Sequence, residues 1–573
     1  MPTKTFLSSL FVCLCVSPIL AQNAYLKGPT ADDNDLFGSS VATTGDTLVV
    51  GSRFGGLGDT GTAVVFVRSG ASWVQEDELI GLNTVGGDAF GGAVALEGDT
   101  LVVGASQQGP FSSPAPLSGA AYVFTRSGTT WTEEQFLKAP SPALADIFGG
   151  DVALSGDTLV VGAPGEGGAA GAAHVFVRSG TTWTHQMELT ASNAAAGDFF
   201  GRSVGISGDT IVVGAPFEAS SGSGIGANQG DNGAPSAGAA YVFTRSGTTW
   251  TQQAYLKASS SGASDQFGWS CTISGETIVV GAPFEQSTAT GVNGDDTNNG
   301  FPGAGAAYVF VRSGSTWTQE AYVKASNTGF ADQFGFDVAL LGDALIVGAP
   351  TEESAATGVN GDEGDNSLVQ PGAAYLFQRS GTTWTQRSYL KASNTDPQDT
   401  FGLAVAMSAA NALVGAPAED GAAVGVNGDD TDNSLDDVGA AYLYETQVSA
   451  SVALRNAGSN PLSYSATAPV LGKTFDATVD LAGTTGHTMA LLIGFASPLN
   501  VTLGSGQVLL TNLLDPSGEQ LALSFASGPI ATFQSPVPND TAFAGLTIAT
   551  QAIHFGGVFP FALSNAQDLV VGF

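Results

Sequence analysis

The sequence predicts an all-β protein built around a seven-bladed β-propeller of four-stranded blades, and three observations support that prediction. Glycine contributes 78 of the 573 residues and charged residues only 12%, which favours turn-rich β structure over helices. A D-x-F-G phrase occurs seven times, and a second glycine always follows thirteen residues after the glycine of that phrase. Each repeat also contains four short runs rich in β-branched and aromatic residues.

The four runs of a repeat are separated by turn residues that fit a small antiparallel sheet. A two-residue link such as Gly156-Asp157 joins the first two predicted strands in a tight hairpin. The second strand is almost continuously apolar and the third is apolar at both alternating positions, so both faces of the sheet must be buried. Seven sheets that each need a neighbour on both faces close most simply into a ring.

These repeats resemble the FG-GAP family, which is known from the seven-bladed propeller of integrin α chains and from many secreted bacterial proteins. The second glycine opens Gly-Ala-Pro in the last five repeats, whereas Gly51-Ser52-Arg53 and Gly104-Ala105-Ser106 stand in the first two. The resemblance covers about residues 23 to 446 and implies the same propeller. It does not transfer the family's D-x-D-x-D-G calcium loops, because the link between strands one and two has shrunk to pairs such as Gly-Asp or Gly-Glu.

The ring is predicted to close with a strand from the N-terminus. The seventh repeat stops after Ala441 to Tyr444 without its fourth strand. Residues Ala24 to Lys27 copy the strand-four ending seen at Ala254 to Lys257, and they precede the first D-x-F-G phrase. We therefore expect residues 24 to 27 to pair with the strand around residues 441 to 444.

The propeller is predicted to span residues 22–446, between two segments of different composition. Residues 1–21, with basic Lys4, an apolar stretch and Ala21 before the expected cleavage point, are predicted to be a secretory signal peptide. Residues 447–573 lack the repeat and contain alternating apolar runs, which predict a small β-sandwich-like domain. This domain resembles a C-terminal module common in secreted bacterial proteins, for which sorting or surface attachment and a plain stabilising cap are the alternatives.

The charge of the chain limits its partners. It has 52 acidic against 17 basic residues, a formal charge of −35, which excludes nucleic acid and anionic membranes as natural partners. No second apolar run reaches membrane length, so the mature chain is expected to have no transmembrane segment, to be secreted or on the cell surface, and to be a monomer. Its one remaining cysteine, Cys271, is expected to be a small buried hydrophobe.

The loops between strands two and three lengthen along the chain and become acidic. In three of them a G-V-N-G-D phrase is followed by side-chain oxygens at alternate positions, a spacing that resembles calcium-binding loops. Calcium is therefore the candidate cofactor, although no bidentate Glu follows at the usual distance, and solvated turns are the alternative. The candidate metal ligands are Asn427, Asp429, Thr431, Asn433, Asp295 and Asp362.

Two recurring residues are predicted to be structural, whereas a variable position is predicted to be functional. The Asp of D-x-F-G is expected to cap a turn, and the Trp of R-S-G-T-T-W is expected to pack between blades. The residue after F-G differs between repeats and enters the central channel. There, Arg202, Trp269 and Phe336 on adjacent blades, with Asp337, are predicted to bind a sugar or peptide, with ordinary channel filling as the alternative.

No catalytic residue is predicted. The four histidines are scattered, and no catalytic triad, HExxH motif or Cys/His cluster is present. The function that these observations favour is an extracellular binding or adhesion protein, with a glycan or protein ligand on the acidic rim or at the channel mouth. The alternatives are an extracellular carbohydrate-active enzyme, a hydrolase or lyase, and a structural component of the cell surface.

Overall fold

A computed structural model of the chain describes residues 19–56, 58–70, 72–109 and 115–447 and, beyond residue 447, the strands alone. The predicted signal peptide lies outside the described residues up to residue 18. The chain divides into two compact units, one of which is Ala21–Glu445 and the other of which contains Thr446–Phe573. No helix among the described residues is long and apolar enough to cross a membrane.

The first unit confirms the predicted seven-bladed propeller of four-stranded antiparallel blades. Its strands, in chain order, are β1 (Ile19–Leu26), β2 (Phe37–Thr44), β3 (Thr47–Ser52), β4 (Thr62–Ser69), β5 (Ser72–Leu79), β6 (Phe90–Glu97), β7 (Thr100–Ala105), β8 (Ala120–Ser127), β9 (Thr130–Leu137), β10 (Val152–Ser155), β11 (Thr158–Ala163), β12 (Ala172–Ser179), β13 (Thr182–Leu189), β14 (Ser203–Ser207), β15 (Thr210–Ala215), β16 (Ala239–Ser246), β17 (Thr249–Leu256), β18 (Ser270–Ser274), β19 (Thr277–Ala282), β20 (Ala306–Ser313), β21 (Thr316–Val323), β22 (Val338–Leu341), β23 (Ala344–Ala349), β24 (Ala373–Ser380), β25 (Thr383–Leu390), β26 (Ala404–Met407), β27 (Asn411–Ala416) and β28 (Ala440–Gln447). One short helical turn, α1 (Glu166–Ala169), lies between β11 and β12.

The ring closes as the sequence predicts. The first blade pairs in the order β2-β3-β4-β5, and the next five blades continue four strands at a time. The seventh has the order β26-β27-β28-β1, so the N-terminal strand supplies its outer edge. Across this junction the side-chain amide of Asn23 donates to Glu445 at 3.0 Å.

The constant spacing between the two glycines reflects a close backbone approach between neighbouring blades. A Cβ placed on Gly281, the second glycine of blade five, would lie 2.0 Å from the carbonyl oxygen of Gly335. Gly335 is the glycine of the next D-x-F-G phrase, and its φ of +90° lies in the region that favours glycine. Each phrase therefore docks against the preceding blade, and both positions require glycine.

Apolar side chains fill the spaces between adjacent blades. Phe334 of D-x-F-G is fully buried and packs edge-on against Tyr375 and Phe377, with ring centroids 5.4 and 6.0 Å away. Trp384, on the outer strand of blade six, donates its indole N–H to Glu320 of the preceding blade at 2.9 Å. The predicted packing of the recurring tryptophans between blades is confirmed.

The aspartate of D-x-F-G caps the turn that precedes it. Asp265 accepts the backbone N–H of Gly262 at 2.6 Å, and Asp399 accepts that of Asp396 at 2.9 Å. The same bond to the residue three positions earlier occurs in all seven repeats. The predicted turn-capping role is confirmed.

The second unit contains eleven described strands. They are β29 (Ser451–Arg455), β30 (Tyr464–Ala466), β31 (Thr474–Asp480), β32 (His487–Phe495), β33 (Pro498–Thr502), β34 (Val508–Thr511), β35 (Gln520–Ser527), β36 (Ile530–Pro536), β37 (Thr547–Gly556), β38 (Phe561–Leu563) and β39 (Ala566–Val570). One sheet has the order β29-β39-β37-β32-β35 with β38 paired to β37, and the others are β30-β31-β36 and β33-β34. The sandwich arrangement stays a prediction.

Candidate ligand site at the channel mouth

The first strand of each blade lines a central channel that opens on the rim with the long loops. On this rim each first strand begins at or after the Phe of D-x-F-G and each second strand ends one residue after the second glycine, whereas the tight turns lie on the other rim. A cavity of about 970 Å³ occupies the channel and is lined by residues of all seven blades. Its volume lies within the range of pockets that hold small ligands.

Three of the four predicted ligand-binding residues are in contact at this mouth. The guanidinium carbon of Arg202 lies 4.4 Å from the ring centroid of Trp269. The rings of Trp269 and Phe336 are 5.4 Å apart and inclined by 53°. All three side chains line the cavity and are half-buried, and so is Asp337. Their role in ligand binding stays a prediction.

The structure adds three aromatic residues that the sequence analysis missed. Phe217 and Phe284 lie with ring centroids 6.5 and 6.1 Å from that of Trp269, and Phe199 lies 5.2 Å from Phe217. With Trp269 and Phe336 they form what we call the aromatic wall, which spans blades four to six and of which all members except Phe284 line the cavity. For Phe217 and Phe284 the available signal was the extra Phe directly after Gly-Ala-Pro, which occurs only in repeats four and five, and Phe199 is the variable residue of its D-x-F-G phrase.

The opposite side of the mouth is built from small residues. Blades one to three place Ser39, Gly92 and Gly150 at the positions that Arg202 and Trp269 occupy in blades four and five. These small residues border larger neighbours, since a Cβ on Gly150 would lie 3.3 Å from the Ile147 side chain and one on Gly92 would lie 4.0 Å from Arg53, but they place no aromatic ring at the mouth. Blades one and two also differ in backbone, because their first strands begin at Phe37 and Phe90 and contain a register shift before Ser40 and Ala93.

Two aspartates that line the cavity are tied to the backbone of the next blade. Asp151 accepts the N–H of Val204 at 2.7 Å, and Asp337 accepts that of Val405 at 2.7 Å. Burial raises the pKa of Asp151 to about 6 and that of Asp337 to about 7, although these N–H groups act in the opposite direction. The sequence analysis missed Asp151, which stands two residues after F-G just as Asp337 does.

Arg202 differs from the arginines that recur before Ser-Gly. Each of those stacks on a tryptophan and pairs with a carboxylate, as Arg245 does. Arg202 stacks on Trp269 but has no ion-pair partner among the described residues. Burial lowers the pKa of its guanidinium, while the charges of Asp151 and Asp337 raise it. The mouth therefore holds a partly desolvated cation whose N–H donors are available to a ligand.

The asparagine of G-V-N-G-D holds the long rim loops against the outer strand. Asn427 accepts the backbone N–H of Tyr25 through its side chain at 2.9 Å and donates its own backbone N–H to the Tyr25 carbonyl at 2.7 Å. Asn360 makes the same pair of bonds with Tyr389 in the preceding blade. The oxygen that the calcium hypothesis assigns to Asn427 thus already accepts a hydrogen bond.

The other predicted calcium ligands lie on exposed turns of these loops. Asp429 accepts the backbone N–H and the hydroxyl of Thr431 at 3.0 and 2.6 Å, and Asp295 and Asp362 likewise accept the backbone N–H two residues on. Asn433 donates to a different loop. In the described part of the chain no three His, Cys, Asp or Glu side chains group closely enough to hold a metal ion. Calcium binding stays a prediction.

Buried lysine–glutamate pairs in blades four to seven form a feature that the sequence analysis missed. Lys257, at the end of an outer strand, lies 3.2 Å from Glu218, four residues after the second glycine. The equivalent pairs are Lys324–Glu285, Lys391–Glu352 and Lys27–Glu419. The signal was the joint occurrence of this Glu and this Lys in the repeats with long loops.

Blade three replaces such a pair by a hydrogen-bonded histidine cluster. His174 is fully buried, with one ring nitrogen 2.8 Å from Glu166 and the other 3.2 Å from His185. Burial lowers the pKa of His185. Because Glu166 occupies the place of Glu218 in blade four, we assign this cluster to the packing of the blade.

Seven four-stranded blades around a central channel define a closed β-propeller. The FG-GAP repeat model matches residues 21–66, 73–124, 131–176, 183–243, 250–310, 317–377 and 384–444. The chain therefore belongs to the FG-GAP repeat family, whose propellers fit ligand-binding or adhesion-type domains of extracellular proteins. The first matched unit begins on β1 and ends on β4, so the family unit runs across a blade boundary. A comparison with curated proteins finds no match.

Proposed function

We propose that the protein is an extracellular binding or adhesion protein, secreted or held at the cell surface, which binds a glycan or protein ligand at the channel mouth. The asymmetry of the mouth supports this proposal. The aromatic wall stands on one side and the small residues Ser39, Gly92 and Gly150 stand on the other, around a cavity of about 970 Å³. A ligand that enters this space gains apolar contact with large rings and a hydrogen-bonding cation in Arg202.

A carbohydrate-active enzyme is the second candidate, because two carboxyls with raised pKa values line the same cavity. Binding without turnover is favoured because each carboxyl also holds backbone. Asp337 accepts the N–H groups of Val338 and Val405, one on each oxygen. These bonds fix the first strand of two blades and commit Asp337 to a structural task.

Glycan and peptide arrays probed with the labelled full chain test the proposal. We expect the bound array members to lose binding with Trp269→Ala and with Phe336→Ala. Phe330→Ala is the matched control, because Phe330 is 64% exposed and does not line the cavity. Ligands that bind equally to the Trp269→Ala variant, or an absence of any bound ligand, would overturn the channel-mouth site. Product formed from a bound glycan would favour the enzyme.

A further inference from the structure

Arg202 is unusual among the arginines of this acidic chain. In the described residues, Arg53, Arg202 and Arg387 lack an ion-pair partner, and of these only Arg202 is half-buried. One face of its guanidinium is taken by Trp269. A partly desolvated cation without a counterion is poorly stabilised, and an anion that reaches it gains a charge-assisted hydrogen bond.

The two carboxylates near Arg202 are turned to other partners. Each of Asp151 and Asp337 accepts one backbone N–H of its own strand and one of the next blade, at 2.7 to 2.9 Å. They interact with Arg202 through their charge but form no ion pair with it. The N–H donors of the Arg202 guanidinium are therefore available to the carboxylate of a ligand.

The remaining walls indicate which carboxylate-bearing ligand fits. Arg53, Ser106 and Gln107 line the cavity with polar groups, while the aromatic wall offers apolar ring surface. A sugar presents both kinds of surface, C–H groups on its faces and hydroxyls at its edges. A peptide needs backbone partners, and the N–H groups of Val204 and Val405 are already bonded to aspartates.

We propose that the channel mouth binds a saccharide that ends in a uronic acid, with the carboxylate on Arg202 and the sugar ring against the aromatic wall. This inference rests on the proposed function and names the ligand class of that same site. The formal charge of −35 repels extended polyanions, so a single terminal uronate is the form that the site accepts.

This ligand class has a distinctive pH dependence. Burial raises the pKa of Asp151 to about 6 and that of Asp337 to about 7, so both lose negative charge as the pH falls from 8 to 6. A carboxylate with an ordinary pKa of about 3.5 stays ionised over this range. The buried thiol of Cys271, with its pKa raised to about 12, and the arginines Arg53 and Arg202 keep their charge states. Repulsion of the ligand therefore decreases, and binding should tighten several-fold toward pH 6.

Calorimetry with matched disaccharides tests the inference on the full chain. The probes are glucuronic-acid- and glucose-terminated disaccharides of one linkage, together with the corresponding galacturonic-acid and galactose pair. We expect one acidic member to bind about 10- to 100-fold more tightly than its neutral partner at pH 6. Arg202→Gln should abolish this difference, Arg202→Lys should restore part of it, and Arg387→Gln should preserve it. Asp337→Asn should weaken the pH dependence, because Asp151 still titrates.

The possible outcomes separate this inference from the proposed function. Equal binding of acidic and neutral members that is lost with Trp269→Ala would overturn the uronate inference and leave the channel-mouth site in place. Acidic binding that survives Arg202→Gln would overturn it as well, and a loss of acidic binding supports the inference only when the variant keeps the parent urea midpoint. Binding only of peptides with a free carboxyl end would overturn the saccharide class. Binding of no saccharide and no peptide would overturn both proposals.

Discussion

Lys27 ties the N-terminal strand to the last blade through a buried ion pair. Its Nζ lies 2.5 Å from a carboxylate oxygen of Glu419, and both side chains are at most 1% exposed. Glu419 also accepts the hydroxyl of Tyr25 at 2.6 Å and the amide of Asn394 at 3.0 Å. The N-terminal strand is not continuous in the chain with the blade that it completes. We therefore expect this pair to hold the ring closed.

Lys27→Met should destabilise the propeller by about 3–5 kcal/mol, the cost of leaving a buried charge without its partner. Burial already raises the pKa of Glu419, and Lys27 opposes that rise. Without Lys27 the folded-state pKa rises further above the unfolded value of about 4.3, so the carboxyl destabilises the fold at any pH above that value. The loss should be largest near pH 8 and shrink as the pH falls toward 5.

Urea unfolding followed by tryptophan fluorescence measures this effect in the propeller, because all seven tryptophans lie between Trp73 and Trp384. The double variant Lys27→Met with Glu419→Gln should recover most of the loss, since no charge is then left unpaired. Lys257→Met is the matched control inside the ring, and only the Lys27 variant should accelerate hydrogen exchange in β1. An unchanged midpoint for Lys27→Met at pH 8, or a double variant as unstable as the single one, would refute the reasoning.

Three further predictions concern the repeat, the pH dependence and the rim. Gly281→Ala should prevent folding to a soluble propeller because its Cβ would meet a carbonyl oxygen at 2.0 Å, whereas Gly230→Ala on an exposed loop should keep the parent unfolding midpoint. The thermal midpoint should rise as the pH falls from 8 to 6. Burial raises the pKa of Asp332 to about 7 and that of Asp399 to about 8, so the folded chain binds these protons at a higher pH than the unfolded chain does. Asp399→Asn should weaken this rise. Thermal midpoints with and without added calcium test the rim loops: a rise that Asp429→Ala abolishes would establish the rim metal site, whereas an unchanged midpoint would assign Asp429 to the cap of its own turn.

The fold was predictable because one local constraint acts seven times. The approach of Gly281 to Gly335 leaves no space for a side chain, so the spacing of the two glycines is a direct record of how one blade meets the next. Ring closure was predictable for the same reason, since a missing strand and its displaced copy at residues 24 to 27 are both visible against the repeat. The arrangement of the strands after residue 447 has no such internal reference.

The candidate site was predictable only in part. Arg202, Trp269 and Phe336 stand out because they occupy equivalent positions in consecutive repeats and differ from the small residues of the first three blades. Phe217 and Phe284 follow the second strand instead of opening the first. Their contact with Trp269 forms because the end of a second strand and the start of a first strand lie on the same rim. A comparison of equivalent positions in the repeats does not show that these two positions are close in space.

The rim loops show what a spacing argument within one loop does not contain. Alternating oxygens near Asn427 suggest a cation site, yet Asn427 bonds to Tyr25, which lies 402 residues away in the chain. No spacing within a loop can show that an oxygen is used by a distant strand. Recurrence does carry that information, because Asn360 makes the same bonds in another blade. A polar residue that recurs in equivalent positions of several blades is best explained by a structural role. Arginine follows F-G only in the fourth repeat, at Arg202, and this difference directs the search for the ligand to the channel mouth.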